Sequence, residues 1–301
     1  MKNRHDEARG LAMELASFLL SRKLTVVFAD EARALARRVR RTAELPVTSK
    51  AVMIVRKPSM VDICDLIVVL GGDGTYLSIA RLMRDRSVPV LGINMGRLGF
   101  LTEITKEEAQ DVLTQILESG QCEVSERALL EVTLMRNRKV VFRGPVVNDA
   151  VISKGAIARI IGLQVRADGR QVNDFRADGV IVSTPTGSTA YSLAAGGPIL
   201  EPTISALIIT PICAHSLTQR PLVLSDRGEI QIRLQDRPGH VILTLDGQDV
   251  VEMKENDVVV VRRFRRHSLQ LVSSPTRDYF SVMREKLKFG LGENKETVPR
   301  R

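Results

Sequence analysis

Residues 66–75 read LIVVLGGDGT, an apolar run followed by a turn that holds three glycines and the carboxylate of Asp73. The run predicts a buried strand, and the glycines bring bare backbone N–H groups close to whatever the turn faces. Such groups bind anions, so the turn suits phosphate, with Asp73 as a proton acceptor in the same space. The turn lacks the lysine of a Gly-x-x-x-x-Gly-Lys-Ser/Thr loop and does not have Gly-x-Gly-x-x-Gly spacing. A tight turn without a ligand is the alternative.

The chain divides into three parts by its sequence patterns. Residues 1–123 alternate helix and strand patterns, which predicts an α/β domain with a mostly parallel sheet carrying the GGDGT turn. Within it, a helix is predicted over 105–119, with a capping box from Thr105 and Glu108 and with Gly120 past its end. Residues 124–274 are short β-branched runs between turns, so we expect an all-β domain. Residues 275–301 predict a C-terminal helix returning to the first domain, then a frayed tail.

The composition is that of an ordinary globular protein, with 44% hydrophobic and 26% charged residues in 301. No uncharged run approaches the roughly 18 residues needed to cross a bilayer, and the start of the chain is unlike a secretory signal. We therefore expect a cytoplasmic protein without a membrane partner. Three widely spaced cysteines and four histidines without a ligand pair predict buried free thiols and leave the metal ligands unknown.

The net charge of +9 is compatible with nucleic acid or with small polyanionic substrates. The densest basic run, residues 262–267, has Phe264 as its one aromatic residue, and aromatic residues make up 4% of the chain. This is poor for stacking bases, so we expect no nucleic-acid partner, although a basic nucleic-acid-binding protein is the competing hypothesis from another class. The run itself predicts a solvated edge strand protected by its charge.

A second group of small and hydroxyl-bearing residues lies in the all-β part. Residues 184–198 read TPTGSTAYSLAAGGP, which lets a flat polar ligand such as adenine with its ribose come close to the backbone. A helix cap is the simpler interpretation of such a turn. Asn148 and Asp149 offer an amide and a carboxylate to two ribose hydroxyls, although this pair is also a common turn. The sequence Asp246-Gly247-Gln248 is most simply a hairpin turn.

Taken together, these segments resemble the NAD kinase family, and its bacterial members in particular. They are the GGDGT turn, residues 94–101, Asn148-Asp149, Asp178-Gly179, residues 184–198 and residues 211–222. The GGDGT turn is shared with diacylglycerol, sphingosine and phosphofructo-kinases, so a lipid-type kinase is the alternative within the same enzyme class. Residues 186–192 in company with that turn make the resemblance specific.

The resemblance implies an ATP-dependent kinase that phosphorylates the 2′-hydroxyl of the adenosine ribose of NAD, giving NADP with the help of a divalent cation such as Mg²⁺. It implies that Asp73 activates this hydroxyl and that the amides around Gly71, Gly72 and Gly74 hold phosphates. It also implies a homodimer or homotetramer. The further NAD-binding positions that it implies are Asn148, Asp149, Arg159, Arg176, Asp178, Thr189, Ala190, Tyr191, Ser192, Leu193, Ala194 and Gln248.

One departure from the family concerns the start of the chain. Family members usually begin with a short apolar strand, but residues 1–7 here are too polar for one. We expect no strand at this position. If such a strand is normally interior, its loss leaves backbone groups unpaired and an apolar face open, at a cost of several kcal/mol, which weakens the first domain.

Overall fold

The computed structural model describes residues 2–46, 48–83, 86–155, 159–235 and 239–288. The chain forms two compact units. Unit 1 comprises Met1–Ser78, Val88–Ser125 and Leu271–Arg301, as far as these ranges are described, and unit 2 comprises Ile79–Ser87 and Glu126–Gln270. The predicted fold class is confirmed, because a mostly parallel α/β part, an antiparallel all-β part and a C-terminal helix are all present.

Helices and strands alternate in the first part of the chain, and strands dominate from residue 124 onwards. The helices in the described residues are α1 (Lys2–Ser21), α2 (Arg33–Thr42), α3 (Met60–Ile63), α4 (Asp73–Ala80), α5 (Ala109–Ser119), α6 (Tyr191–Ala194) and α7 (Tyr279–Leu287). The first six strands are β1 (Val26–Ala29), β2 (Val52–Val55), β3 (Ile67–Gly71), β4 (Val90–Asn94), β5 (Ile104–Thr105) and β6 (Val124–Arg127).

The remaining strands follow one another almost without interruption. They are β7 (Leu130–Arg136), β8 (Lys139–Val146), β9 (Asp149–Lys154), β10 (Ile161–Ala167), β11 (Arg170–Ala177), β12 (Gly179–Ser183), β13 (Ala206–Ile212), β14 (Leu222–Ser225), β15 (Glu229–Leu234), β16 (Val241–Leu245), β17 (Asp249–Met253), β18 (Val258–Arg263) and β19 (Leu269–Val272). Short 3₁₀ helices lie at 30–32, 57–59 and 186–189.

The larger sheet of unit 1 places the ends of its parallel strands beside the GGDGT turn. Its strand order is β3-β4-β19-β6, with β5 also paired to β4. Strands β3, β5 and β19 all run parallel to β4, which is buried along its whole length. The core packs Leu91 and Ile93 of β4 against Val112 and Leu113 of α5. Because β3 and β4 are parallel neighbours, the loops that follow them lie side by side.

The start of the chain is helical. Helix α1 begins at Lys2, so within the described residues no strand precedes it, as its polarity predicts. Strands β1 and β2 form a separate parallel pair, and they share a small core with α1 and α2 through Ala16, Phe28 and Val39. This pair has no hydrogen-bonded connection to the larger sheet among the strands that the structure describes.

Helix α5 is shorter than the sequence predicts. It begins at Ala109, because Thr105 belongs to β5 and pairs with Asn94 of β4. Half of the predicted capping box is present, since the N–H of Thr105 donates to Oε2 of Glu108 at 2.9 Å. Gly120 ends the helix with φ of 66°, as predicted. Sheet pairing of Thr105 therefore prevails over helix initiation.

The C-terminal helix α7 is confirmed. Asp278 and Ser281 form a reciprocal capping box, and the helix belongs to unit 1 together with the GGDGT turn. The predicted frayed tail lies outside the described residues, which end at residue 288.

Unit 2 consists of two antiparallel six-stranded sheets. Their strand orders are β11-β10-β15-β18-β7-β8 and β14-β13-β12-β9-β16-β17. Alternate residues of both sheets form one apolar core; Val132, Val261 and Ile232 are examples from three adjacent strands of the first sheet. The turn at Asp246 and Gly247, with φ of 49° and 65°, joins β16 to β17 as a hairpin.

The prediction that the basic run 262–267 belongs to a solvated edge strand is wrong, because its first two residues lie in β18. Strand β18 lies inside its sheet between β15 and β7, because its valines at 258–261 pair on both sides. Arg262 stands in register between Glu229 and Glu131, and it forms an ion pair with Glu229. Its charge is therefore balanced within the sheet.

The cysteine prediction holds only in part. Cys64, Cys122 and Cys213 are all free, but Cys64 is buried whereas Cys213 is exposed. Cys213 has φ of 45° and follows the end of β13, which places it in a turn and not in the core. Among the helices in the described part of the chain, none has both the length and the hydropathy needed to cross a membrane.

Candidate active site

The turn after β3 leads directly into α4, which begins at Asp73. A Cβ on Gly71 would lie 2.6 Å from Oγ1 of Thr75, so this position requires glycine unless its neighbour shifts. At Gly72 and Gly74, a Cβ would meet nothing within 4 Å. Gly71 therefore serves the backbone turn itself, whereas Gly72 and Gly74 border open space that a ligand can occupy.

The carboxylate of Asp73 is oriented by the loop that follows β4. Its Oδ2 accepts a hydrogen bond from the N–H of Phe100 at 3.0 Å, and its Oδ1 accepts one from the N–H of Leu101 at 3.0 Å. The hydroxyl of Thr102 also donates to Oδ1, at 3.2 Å. The Asp73 side chain remains 30% exposed. Both oxygens are thus fixed in direction while the group keeps access to solvent.

Asn94, at the end of β4, holds this loop in place. Its Nδ2 donates to the carbonyl of Arg97 at 2.5 Å and to Oγ1 of Thr102 at 3.0 Å, and its Oδ1 accepts from the N–H of Gly96 at 2.6 Å. Since the Thr102 oxygen accepts from Asn94, its own hydrogen is directed towards Asp73. Asn94 is 6% exposed, so this support is buried.

Two side chains at this site escaped the sequence analysis. Thr102 directly follows the loop whose residues carried the resemblance, but a threonine in a loop gives no signal of its own. Lys286 of α7 lies far away in sequence, yet its Nζ is 3.6 Å from Oδ2 of Asp73. Helix periodicity alone does not reveal this contact, which depends on where α7 packs within unit 1.

In unit 2, Asp246 fixes the backbone of the Asn148-Asp149 pair. Its Oδ1 accepts hydrogen bonds from the N–H of Asn148 at 2.8 Å and of Asp149 at 3.1 Å, and its Oδ2 accepts from the N–H of Val147 at 3.0 Å. The N–H of Asp246 in turn donates to the carbonyl of Asp149 at 3.0 Å. The predicted hairpin residue Asp246 is therefore also a clamp on a predicted binding segment.

Asp149 and Asp246 are two buried acids in contact through these bonds. Burial raises the pKa of Asp149 to about 7, and the neighbouring charge of Asp246 adds to the effect. Burial also raises the pKa of Asp246, although three backbone N–H groups and the charge of Arg81 oppose that shift. Within the described residues, the Asp149 carboxyl has no hydrogen-bond partner. It is a buried acid, 5% exposed, whose pKa lies near neutral pH.

Residues 184–198 fold against the same segment. The N–H of Thr184 donates to the carbonyl of Asn148 at 2.9 Å, and its hydroxyl donates to the carbonyl of Val147 at 2.6 Å. A Cβ on Gly187 would overlap the backbone of Asn148, so the backbones of these two segments are in contact there. Oγ1 of Thr186 is buried without a partner among the described residues. The structure thus brings this turn and the Asn148-Asp149 pair together.

The positions predicted to surround an adenine, 189–194, have mixed environments. Residues 186–189 form a 3₁₀ turn that precedes α6. The hydroxyl of Ser192 is buried and hydrogen-bonded to Thr210 at 2.9 Å, so it is used inside the protein. Tyr191 is 47% exposed. Of these two side chains, Tyr191 is therefore the one that solvent can reach.

Gln248 lies in the β16–β17 hairpin next to the Asp246 clamp. Its side-chain oxygen accepts a hydrogen bond from Arg81 at 3.2 Å, and Arg81 also forms an ion pair with Asp249. Arg81, which follows α4, thus bonds to both Gln248 and Asp249 of the hairpin that carries Asp246.

The remaining predicted positions lie elsewhere in unit 2. Asp178 precedes β12 and forms an ion pair with Lys154 at 3.0 Å, while Asn148 and Thr184 lie at the other end of that strand. The five residues of β12 lie between the two groups and separate them by about 20 Å. Arg176 of β11 and Arg159 are exposed. The structure therefore does not bring Asp178 together with the Asn148 group.

No cluster of three or more metal-binding side chains occurs in the part of the chain that the structure describes. Asp73 is a single carboxylate whose oxygens already accept three hydrogen bonds from protein. This donor set does not form an all-protein metal cage, but it fits Mg²⁺ that arrives on substrate phosphates with water as its other ligands.

Both parts of the chain match known protein families. Residues 1–122 match the ATP-NAD kinase N-terminal domain, and residues 147–273 match the ATP-NAD kinase C-terminal domain. The chain is 45% identical to the NAD kinase of Geobacter metallireducens over 288 residues, which are 95% of this chain and 96% of the relative. It is 53% identical to the NAD kinase of Geotalea daltonii over 226 residues, or 75% of this chain and 79% of the relative.

Solved structures agree with this assignment. The yeast NADH kinase complexed with NADH superposes with a TM-score of 0.85 at 26% identity, covering 97% of this chain and 86% of that one. An NAD kinase from Archaeoglobus fulgidus in complex with ATP gives a TM-score of 0.66 at 26% identity, covering 87% of this chain and 98% of that one. The predicted enzyme class is confirmed, because these relatives and solved structures are NAD or NADH kinases. This chain belongs to the NAD kinase family.

Proposed function

We propose that Asp73 is the proton acceptor when this kinase transfers the γ-phosphoryl group of ATP to the 2′-hydroxyl of the adenosine ribose of NAD. The observation that carries this role is the state of the carboxylate: two backbone N–H groups and the Thr102 hydroxyl fix its oxygens, yet 30% of the side chain is exposed. A base must be aligned and also reachable, and Asp73 meets both conditions.

The reaction needs little covalent participation by the protein. A bond forms between the 2′-oxygen and the γ-phosphorus, and the bond from that phosphorus to the bridging oxygen breaks, leaving its electron pair on ADP. The hydroxyl proton passes to Asp73. Phosphoryl transfer of this kind is accelerated by positioning and by charge neutralisation.

The ATP phosphates are held, in this proposal, by backbone N–H groups of the GGDGT turn. The open space at Gly72 and Gly74 supports this, because bare backbone there lets an anion approach the start of α4. ATP as donor is the property of the matched family. Mg²⁺ bound with the phosphates would supply positive charge, and Asp73, the carboxylate of the GGDGT turn, would be the protein group to hold it.

The NAD-binding positions in unit 2 form two groups, and the first contains Asn148, Asp149, residues 189–194 and Gln248. Asn148 and Asp149 bind ribose hydroxyls, supported by the Asp246 clamp and by the free Asp149 carboxyl. The backbone around 189–194 binds the adenine, with Tyr191 as an exposed side chain and with Gln248 from the neighbouring hairpin. The yeast relative of known structure was solved with NADH, a ligand with the same adenosine ribose.

The second group contains Arg159, Arg176 and Asp178. We propose that a homodimer or homotetramer gives these residues a role, because one protomer keeps Asp178 about 20 Å from the Asn148 group along β12. A second copy can present this edge to a bound nucleotide. A cytoplasmic location and the absence of a nucleic-acid partner remain predictions.

The test is an NADP assay with ATP, Mg²⁺ and NAD, applied to wild type and Asp73→Asn. The amide is isosteric but does not accept the proton, so we expect kcat to fall by about 10²–10⁴-fold with unchanged circular dichroism. Asp111→Asn, an exposed site on α5, is the matched control and keeps the wild-type rate. Wild-type turnover in Asp73→Asn removes Asp73 from this role.

A further inference from the structure

The GGDGT turn carries no cation of its own. A phosphate-binding loop with a lysine uses that charge on the transferred group, whereas here the turn presents the carboxylate of Asp73. A lone carboxylate beside a triphosphate repels it. In addition to Mg²⁺, a positive group from elsewhere in the fold would help to offset these charges.

Lys286 occupies this position. Its Nζ lies 3.6 Å from Oδ2 of Asp73, and its side chain is 29% exposed. This distance is longer than an N–H···O hydrogen bond, so the ammonium group is close to the base without bonding to the oxygen that must accept a proton. An ammonium group in this place can contact an anion that approaches Asp73.

Phe100 holds the lysine and the carboxylate in a fixed relation. The Lys286 Nζ lies 4.7 Å from the centre of the Phe100 ring, within the range of a cation–π interaction. The N–H of the same Phe100 donates to Oδ2 of Asp73 at 3.0 Å. The Phe100 ring also packs against Tyr279 of α7, with ring centres 6.3 Å apart.

The beginning of α7 is anchored to the rest of unit 1. Arg277 forms an ion pair with Glu108 at 2.6 Å, and Thr276 donates to the same carboxylate at 2.7 Å. The capping box of Asp278 and Ser281 then starts the helix. Lys286 is thus presented by a helix that is fixed at its N-terminal end.

We infer that Lys286 is the catalytic cation of this kinase and contacts the oxygens of the phosphoryl group during transfer. The inference rests on the proposed role of Asp73. In the transition state, negative charge lies on the equatorial oxygens of the phosphoryl group and on the leaving oxygen of ADP, and the ammonium group stabilises it. Lys286 gives up no proton, because the hydroxyl proton passes to Asp73.

The decisive variant is Lys286→Met, which keeps an unbranched apolar chain on the Phe100 ring but removes the charge. We expect kcat to fall by about 10²–10³-fold with the melting temperature unchanged. Lys286→Arg retains the charge and recovers part of this loss. In Lys286→Ala, added methylammonium restores activity several-fold, because it fills the space with the missing ion.

Arg284→Met is the matched control, since it removes a positive charge from an exposed position on the same helix. It keeps the wild-type kcat. Wild-type turnover in Lys286→Met, or loss of activity without methylammonium rescue in Lys286→Ala, overturns the inference. Asp73→Asn is measured in parallel: if it is inactive while Lys286→Met is normal, only this inference fails, and if it is active, the proposed role of Asp73 fails first.

Discussion

Gly99 lies so close to the carboxylate of Asp73 that a Cβ at position 99 would overlap Oδ1. The same atom would also overlap Oγ1 of Thr102, which donates to Asp73. Gly99→Ala therefore displaces the carboxylate, the loop or both. We expect kcat to fall at least about tenfold, because small errors in the placement of a base are costly. Steady-state NADP formation measures this.

Gly10→Ala is the control for Gly99→Ala. A Cβ at Gly10 in α1 meets nothing within 4 Å, so kcat is unchanged and the melting temperature is equal or slightly higher. A Gly99→Ala enzyme with the wild-type kcat contradicts the proposal that the loop aligns Asp73.

The glycines of the GGDGT turn differ in what they support, and this predicts opposite phenotypes. Gly71→Ala brings a Cβ to 2.6 Å from Thr75, so we expect a lower melting temperature. Gly72→Ala points into open space, so stability is retained while the KM for ATP rises about tenfold as the methyl group obstructs the phosphates. Thermal melts and ATP titrations separate the two effects. A normal KM for ATP in Gly72→Ala excludes phosphate from that space.

The sequence predicts the fold of this chain well where local patterns decide it. The apolar run before Gly71, the cap at Gly120 and the Asp246-Gly247 hairpin are all confirmed. The helix predicted to start at Thr105 begins at Ala109, because pairing with β4 depends on a strand distant in sequence. The sequence also predicts an edge strand where β18 lies inside its sheet, because the charges at the end of this strand do not reveal its neighbours.

The residues of the candidate site also divide into those that local sequence marks and those that only long-range contacts place. The sequence singles out Asp73 and Asn148, because turn chemistry marks them locally. It does not reveal that Asp246 clamps the Asn148 backbone, since a hairpin turn explains Asp246 by itself. Lys286 is missed because its contact with Asp73 depends on how α7 packs in unit 1. Roles that come from long-range contacts are invisible to pattern analysis.

Asp149 predicts an unusual dependence of stability on pH. Burial raises its pKa from 3.8 to about 7 in the folded protein. Between these values the folded protein holds a proton that the unfolded chain has lost, so the free energy of unfolding decreases as the pH rises from about 4 to 7. Each pKa unit is worth about 1.4 kcal/mol, so the loss amounts to a few kcal/mol. Urea unfolding at pH 5 and pH 8 measures it.

Asp149→Asn removes the titrating group and flattens this dependence, whereas Asp111→Asn, exposed on α5, leaves it as it is. Equal slopes in wild type and Asp149→Asn contradict the raised pKa. A residual slope of the same sign is expected from Asp246, whose pKa burial also raises.

The Asp246 clamp predicts a change in NAD binding without a change in the chemical step. In Asp246→Asn one of the two acceptor oxygens becomes an NH₂ group, so at least one of the three backbone N–H groups at 147–149 loses its partner. An unsatisfied buried donor costs about 1–3 kcal/mol, so the melting temperature falls. The Asn148-Asp149 pair also loses its fixed position, and we expect the KM for NAD to rise about tenfold while kcat stays near wild type.

Asp257→Asn separates this local effect from general destabilisation. Asp257 is buried in unit 2 as well, where it accepts hydrogen bonds from Arg136 and from the N–H of Lys254 and not from residues 147–149. We expect Asp257→Asn to lower the melting temperature and to leave the KM for NAD unchanged. If both variants raise that KM equally, the effect comes from lost stability and not from the clamp. If only Asp246→Asn raises it, the backbone geometry of Asn148 and Asp149 determines how well the ribose is held.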